Sequence, residues 1–385
     1  GEPLAPPPLR VRFDLQIEGR PVILVREVVY RYADQAFGER RLPVRSVPPV
    51  EVALEPDLLL LPDAVHRTEL VATVRSNLAV PAAGRLQLFG SRAEVNGDRA
   101  TVVRLFRIDG EGRSETLRFV FDPPEAAGRY QIEAVAEVAG RSVTQALRRV
   151  SYPHIRPLAV PVPAVSEFSR FELALPRLRR VGYVRGASDR VPEVLAAVGL
   201  PVELLAGGDL ERGELADFDA IVIGSRAYEV DEALRRTNDR LLEYARDGGL
   251  LVVQYQQYQF VRGGFAPWPL EILRPHGRVT DETAPVELLA PDHPALQHPN
   301  RLTAADWQGW IQERGLYFAG SWDPRYRPLL AMADPGREAE QGVLLVAPVG
   351  DGTYVYTGLS FFRQLPAGVA GAVRLFVNLL ALGER

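Results

Sequence analysis

Four short polar runs, each directly after an apolar run, hold the side chains best suited to chemistry. They are Arg185, Gly186, Ser188 and Asp189; Ser225, Arg226 and Tyr228; Tyr255, Gln256 and Gln257; and Ser360, Phe361 and Arg363. If the apolar runs are strands of an open α/β sheet, these loops gather at one edge, because ligands there sit outside the carboxyl ends of the strands. Together they offer guanidinium groups, phenols, amides and hydroxyls, but no obvious nucleophile or base. That inventory suits binding better than bond-making. Arginine stays ionised and its planar fork matches a carboxylate. Three converging arginines would need Asp189 or Glu229, and then a bound anion, as partners. Tyr228 and Tyr255 would add apolar faces for a sugar ring. A vestigial cleft is the rival reading.

The stretch "AADWQGWIQERGLYF", residues 304–318, is the densest in reactive types. Read as a helix, it puts Asp306 and Trp310 on one face, and Trp310 with Glu313 and Arg314 on another. Trp307 and Trp310 then form either an aromatic platform for a sugar or anchors that dock the segment on a sheet. Asp306 with Glu313 resembles a glycosidase pair, but paired carboxylates on helices are too common to carry that reaction.

The five histidines, His66, His154, His276, His293 and His298, are scattered without metal-ligand spacing, so no metal site is expected. In "PDHPALQHPN" they read as loop staples, and His154 as linker packing. There is no cysteine, which removes disulfides and thiolate chemistry. There is no lysine either, all 45 basic residues being arginine, which removes Schiff-base chemistry. A GC-rich genome explains the arginine bias. The net charge of -4 disfavours nucleic acid as a partner. No apolar run reaches the roughly 18–20 residues of a membrane helix.

The elements that must position these loops form a multidomain chain. "GEPLAPPPLR" reads as a linker, and the absence of an initial methionine or a signal segment suggests a processed product or a fragment. Residues 1–46 hold a hairpin turning at Glu18-Gly19-Arg20-Pro21, the remnant of a preceding sandwich or a sheet leaning on its neighbour. Residues 47–152 contain short strands separated by Gly, Asn, Asp and Pro, the pattern of an all-β, immunoglobulin-like sandwich. Residues 153–176 are proline-rich and aperiodic, which predicts an extended connector. From 177 to 385 strands alternate with helices, which predicts an α/β doubly wound parallel sheet. Asp189 is placed to cap the first helix, and Val373, Phe376, Val377 and Leu380 line one face of the last.

Several of these stretches carry a resemblance. "VGYVRGASDRVPEVLAAVGLPVELL", "FDAIVIGSRAYEV", "LLEYARDGGLLVVQY", "LTAADWQGWIQERGLYFAGSWDPRYRPLLAM" and "YVYTGLSFFRQLPAGVAGAVRLFVNLLALG" closely resemble the C-terminal part of large bacterial PIG-L/LmbE-type deacetylases. "RLPVRSVPPVEVAL" and "RRVSYPHI" extend the likeness upstream, over nearly the whole chain. The resemblance implies an N-terminal metal-dependent N-acetyl-sugar deacetylase domain, absent from this chain, followed by sandwich modules. It also implies a class I amidotransferase-like (ThuA-like, flavodoxin-type) domain at the end. The family's His-Pro-Asp-Asp metal motif is missing, so zinc is expected only in the absent domain, and no catalytic residue carries over. In active amidotransferases the strand ends in an elbow holding cysteine, served by a later histidine. Here the elbow reads Tyr255-Gln256-Gln257 and the later position falls in "TGLSFF", which excludes glutaminase chemistry.

These readings predict a non-catalytic accessory region of a periplasmic or extracellular deacetylase-type protein. It would bind glycan or an anionic sugar, position the missing domain, or mediate assembly. The rivals are a purely structural or homo-oligomerising module, and a small-molecule hydrolase using the Arg226/Tyr255/Arg363 cleft.

Overall fold

The structure is a computed structural model that describes residues 7–92, 101–152, 155 and 157–384. The chain divides into two compact units. One comprises Gly1–Asp57, Arg67–Phe121 and Tyr130–Glu167, the other Leu58–His66, Asp122–Arg129 and Phe168–Arg385. His154, read above as a packing residue, lies outside the described residues.

The first unit is built of antiparallel strands. Arg10–Ile17 pairs with Arg20–Glu27 through a turn at Glu18 and Gly19, both at positive φ. A second hairpin, Val29–Asp34 with Gly38–Pro43, follows. Ser114–Phe121, Thr68–Ser76 and Val50–Glu55 form a three-stranded sheet. Gly128–Val138, Ala82–Arg92 and Thr101–Ile108 run side by side in another. Side chains alternate as half-buried strands require: Leu70, Ala72 and Val74 are fully buried, while Glu69, Val71 and Thr73 are not. Glu51, also buried, accepts hydrogen bonds from Leu147 N, Arg149 Nη2 and Asn77 Nδ2. Burial would raise its pKa, but those bonds outweigh it and hold the carboxyl below its ordinary value.

Within the proline-rich stretch 153–176, read above as an extended connector, the described residues include two paired strands. Leu158–Pro163 pairs with Gln145–Val150, and Val165–Phe171 lies beside Gly128–Val138 in the larger sheet. Proline survives in Leu158–Pro163 because only one flank of that strand is paired, so a missing N–H disrupts no second ladder. Aperiodic composition hid two strands.

The second unit centres on a seven-stranded sheet. Its strands and principal helices are β1 (Val181–Val184), α1 (Val191–Ala197), β2 (Val202–Leu204), β3 (Ala220–Ile223), α2 (Asn238–Arg246) and β4 (Leu250–Gln254). After these come β5 (Arg327–Pro328), β6 (Leu344–Val349), β7 (Gly352–Thr357) and α3 (Ala370–Ala381). Strand order is β2-β1-β3-β4-β7-β6-β5. The first five are parallel, whereas β6 and β5 are antiparallel to their neighbours.

Both faces of this sheet are covered. Val181, Tyr183, Val222 and Val252 pack with Val191 and Leu195 of α1 and with Val373, Phe376, Val377 and Leu380 of α3. The intervening residues Ile221, Ile223, Leu251 and Val253 pack with Leu241, Leu242 and Tyr244 of α2. Strands buried on two sides need uninterrupted apolar runs, which "AIVI" and "LLVV" supply. Between β4 and β6 lie short ribbons, among them Gly277–Val279 paired with Gly315–Phe318. The helix read over 304–318 is absent: a 3-10 turn spans Ala304–Trp307, and Gly315–Phe318 is a strand. No helix among the described residues is long and apolar enough to cross a membrane.

Candidate functional site

The loops after β1 and β3 are pressed together. A Cβ on Gly224 would meet Asp189 Oδ2 at 2.2 Å, and one on Gly186 would meet Ser225 O at 2.0 Å, so only glycine fits. Asp189 is buried and accepts from Tyr183 Oη (2.7 Å), Gly186 N (3.2 Å) and Val191 N (3.0 Å). It ties down the first N–H of α1, as a cap would, although the cap position itself is Arg190. It does not neutralise the arginine cluster. Arg185 pairs instead with Glu193, at 2.6 Å.

The loop after β3 holds a left-handed strand-to-helix turn. Arg226 has φ 60 and ψ 20, and Ala227–Val230 is helical. Gln256 holds that turn from the neighbouring strand. Its Nε2 donates to Gly224 O (2.8 Å) and Gln254 O (2.9 Å), while its Oε1 accepts from Tyr228 N (3.2 Å). Arg226 N donates to Tyr255 O at 3.0 Å. The elbow is therefore at Arg226, one strand earlier than Tyr255-Gln256-Gln257. The chain leaves β4 through extended Gln257 and needs no left-handed residue there. A left-handed arginine costs about 1–2 kcal/mol, and strain of this kind concentrates at functional sites. Among the described residues, four of the six non-glycine residues at positive φ, namely Ser188, Arg226, Gln312 and Tyr317, lie in this second unit.

Around Tyr255 the expected polar cleft is an aromatic cluster edged by ion pairs. Tyr255 is only 6% exposed. It packs against Tyr317 with centroids 5.8 Å apart, and against Phe362 at 5.2 Å. His276 lies flat on Tyr317 at 3.8 Å and 5°, and Tyr258 meets Tyr317 edge-on at 5.5 Å. Arg274 covers the Tyr258 ring at 4.0 Å. Arg226 donates to Glu229 Oε2 through Nε (2.9 Å) and Nη2 (2.6 Å). Glu229 Oε1 is buried without a hydrogen-bond partner, an acceptor that an O–H donor would satisfy. Glu313, 1% exposed, accepts from Arg278 at 2.9 Å and from Arg363 at 3.0 Å.

These surroundings set the protonation of the rings. Burial, opposed by Arg226 and Arg363, pushes the Tyr255 phenol up to about 12. Burial and then Arg278 push the His276 imidazole down, so it stacks uncharged at neutral pH. A phenol held protonated is a poor base at neutral pH. What the cluster offers is an aromatic surface with oriented donors.

The remaining sequence candidates lie elsewhere or are occupied. Tyr228 is 1% exposed and donates to Asn238 Oδ1, so it cannot be a sugar platform. Trp307 and Trp310 are 7% and 3% exposed and belong to the apolar core, Trp310 Nε1 donating to Asp306 O. They anchor the segment. Asp306 is spent on Thr303 N and Oγ1, remote in role from Glu313. Ser360 is fully buried and donates to Glu313 O at 2.7 Å, so it supports the site from beneath. His293 accepts from Ala295 N at 3.1 Å, a loop staple. No group of three or more metal-ligating side chains occurs among the described residues. A cavity of about 170 Å³ lined by Arg240, Glu243 and Tyr244 shares no residue with the aromatic cluster.

Sequence reasoning reached Arg226, Tyr255 and Arg363, and named Glu229 and Glu313. It missed Tyr258, His276, Arg278, Tyr317 and Phe362. Most of these come from the ribbons between β4 and β6, where no periodicity marks a side chain as facing a strand end.

No protein-family model matches the chain, and no curated protein matches it. Solved structures align with parts of it. An alkylpurine DNA glycosylase AlkC of Pseudomonas fluorescens bound to DNA shows 15% identity over 33% of this chain and 31% of its own, with a TM-score of 0.21. A Paenibacillus cycloisomaltooligosaccharide glucanotransferase complexed with cycloisomaltoheptaose shows 14% over 53% of this chain and 27% of its own, with a TM-score of 0.24. The periplasmic chaperone SfaE shows 16% over 32% of this chain and 58% of its own, with a TM-score of 0.19. This chain thus aligns with less than two thirds of each of these three. Likenesses this low carry no argument about function.

Proposed function

We propose that this chain is a non-catalytic, carbohydrate-binding accessory region of a PIG-L/LmbE-type deacetylase. Its last domain would be amidotransferase-like in lineage and would have lost that reaction. The observation that carries the binding role is the half-buried Tyr258–His276–Tyr317 cluster, packed on buried Tyr255, beside two Arg–Glu systems at the end of β4. Aromatic rings give a sugar an apolar face to lie against, and fixed polar groups read its hydroxyls. Backbone strain at Arg226 and Tyr317 favours a working surface over a vestigial one. The sequence motifs given above are what support the deacetylase lineage, and secretion to the periplasm or beyond follows from that lineage alone.

Isothermal titration with a panel of neutral sugars and uronic acids, using wild type and Arg226→Ala, tests the reading. We expect at least one sugar to bind, and its affinity to fall about tenfold in the variant, the loss of one charge-assisted hydrogen bond. Equal binding by both proteins would place the site elsewhere.

A further inference from the structure

The charges around the aromatic cluster do not balance. Glu313 is a single carboxylate, 1% exposed, and it serves two guanidinium groups. Arg278 reaches Oε2 through Nε (2.9 Å) and Nη2 (2.7 Å), and Arg363 reaches Oε1 through Nε (3.0 Å). Of the other two arginines at the cluster, Arg226 is matched one-to-one by Glu229, and Arg274 lies over the Tyr258 ring. One positive charge is therefore left over within the Arg278–Glu313–Arg363 system. It is accessible, because the two arginine side chains retain 49% and 34% exposure while the carboxylate between them is buried. Arg363 also lies 4.8 Å over the Phe362 ring, which in turn packs on Tyr255, so the surplus borders the aromatic wall.

We infer that the ligand of this cluster is a hexuronate, a pyranose whose carboxylate engages Arg363 and Arg278 while its ring lies against the tyrosines. The inference rests on the carbohydrate-binding reading and adds the chemical class. A single surplus charge is the reason for choosing a carboxylate over a phosphate. A sugar phosphate carries about −1.5 to −2 at neutral pH, more than the single charge left over between Arg278 and Arg363. A carboxylate closes the balance and accepts two parallel N–H bonds from a guanidinium fork. Glu313 contributes by holding both arginines in place and offsetting one of their two charges.

The test compares methyl β-D-glucuronide with methyl β-D-glucoside, which differ only in the carboxylate, and with glucose 6-phosphate, by calorimetry on the full chain. The glucuronide is expected to bind at least tenfold more tightly than the glucoside and more tightly than the phosphate. That advantage should shrink as salt is raised from about 0.05 to 0.5 M. Arg363→Gln and Arg278→Gln are each expected to narrow the gap between the two glycosides about tenfold. Circular dichroism on both variants shows whether they are folded. Equal affinity for glucuronide and glucoside overturns the hexuronate while leaving sugar binding intact. Tighter binding of the phosphate overturns the choice of carboxylate. Failure of all three to bind overturns the sugar-binding reading as well.

Discussion

Tyr255 shows how one residue's surroundings decide its chemistry. The resemblance seen in sequence would place it at an amidotransferase nucleophile position, with a phenol in place of a thiol. In the fold it is enclosed by Tyr317, Phe362 and the Arg226 and Arg363 systems, and its proton is held more tightly than in the unfolded chain. A phenol whose folded pKa is raised contributes stability that is complete below its unfolded pKa of about 10. That stability is lost as pH climbs toward the folded value, about 12. Between those limits wild type should therefore lose stability more steeply than Tyr255→Phe, with the two close at pH 8. Urea unfolding at pH 8, 10 and 11 measures the difference. Parallel curves would mean that Tyr255 ionises alike in both states.

At the scale of elements, the segment 304–318 is the instructive case. Trp307 and Trp310 invite a ligand-binding reading in sequence, yet a short 3-10 turn folds them inward against Phe361 and α3. Trp310→Ala should therefore destabilise the second unit by about 3–5 kcal/mol, the usual effect of truncating a buried large aromatic. The fraction that remains folded should bind the same sugars with unchanged affinity. Denaturant melts paired with calorimetry separate these effects. A small stability change with lost binding would restore the platform. The elbow makes a similar point: Arg226 is left-handed because Gln256, from the next strand, bonds both Gly224 and Tyr228. Nothing within 224–228 announces that clamp.

For the molecule as a whole, the absence of cysteine has the widest consequence. Thioester formation from glutamine needs a thiolate with a base in reach, and the sheet edge offers a protonated phenol in place of a thiol. Purified chain should release no ammonia from glutamine at pH 7–8 in a coupled assay. A steady signal that disappears in Tyr255→Phe would show a reaction these residues are not suited to perform.

Composition and pattern by themselves settled which chemistries lack a residue to perform them, and they located the parallel-sheet strands. A strand buried on both faces must be apolar throughout, so "AIVI" and "LLVV" stand out without any knowledge of partners. The loops at the strand ends were legible for the same reason, and with them Arg226, Tyr255 and Arg363. Tertiary structure alone decided which of those side chains face outward. Tyr228 is drawn inward by Asn238, and the tryptophans by the core. It also brought in Tyr258 from a short helix, and His276, Arg278 and Tyr317 from irregular ribbons. Such segments take their shape from contacts distant in the chain, so no local period records it. The strand Leu158–Pro163 stayed hidden for a related reason. An edge strand tolerates proline where its unpaired side leaves the backbone N–H without a ladder to join.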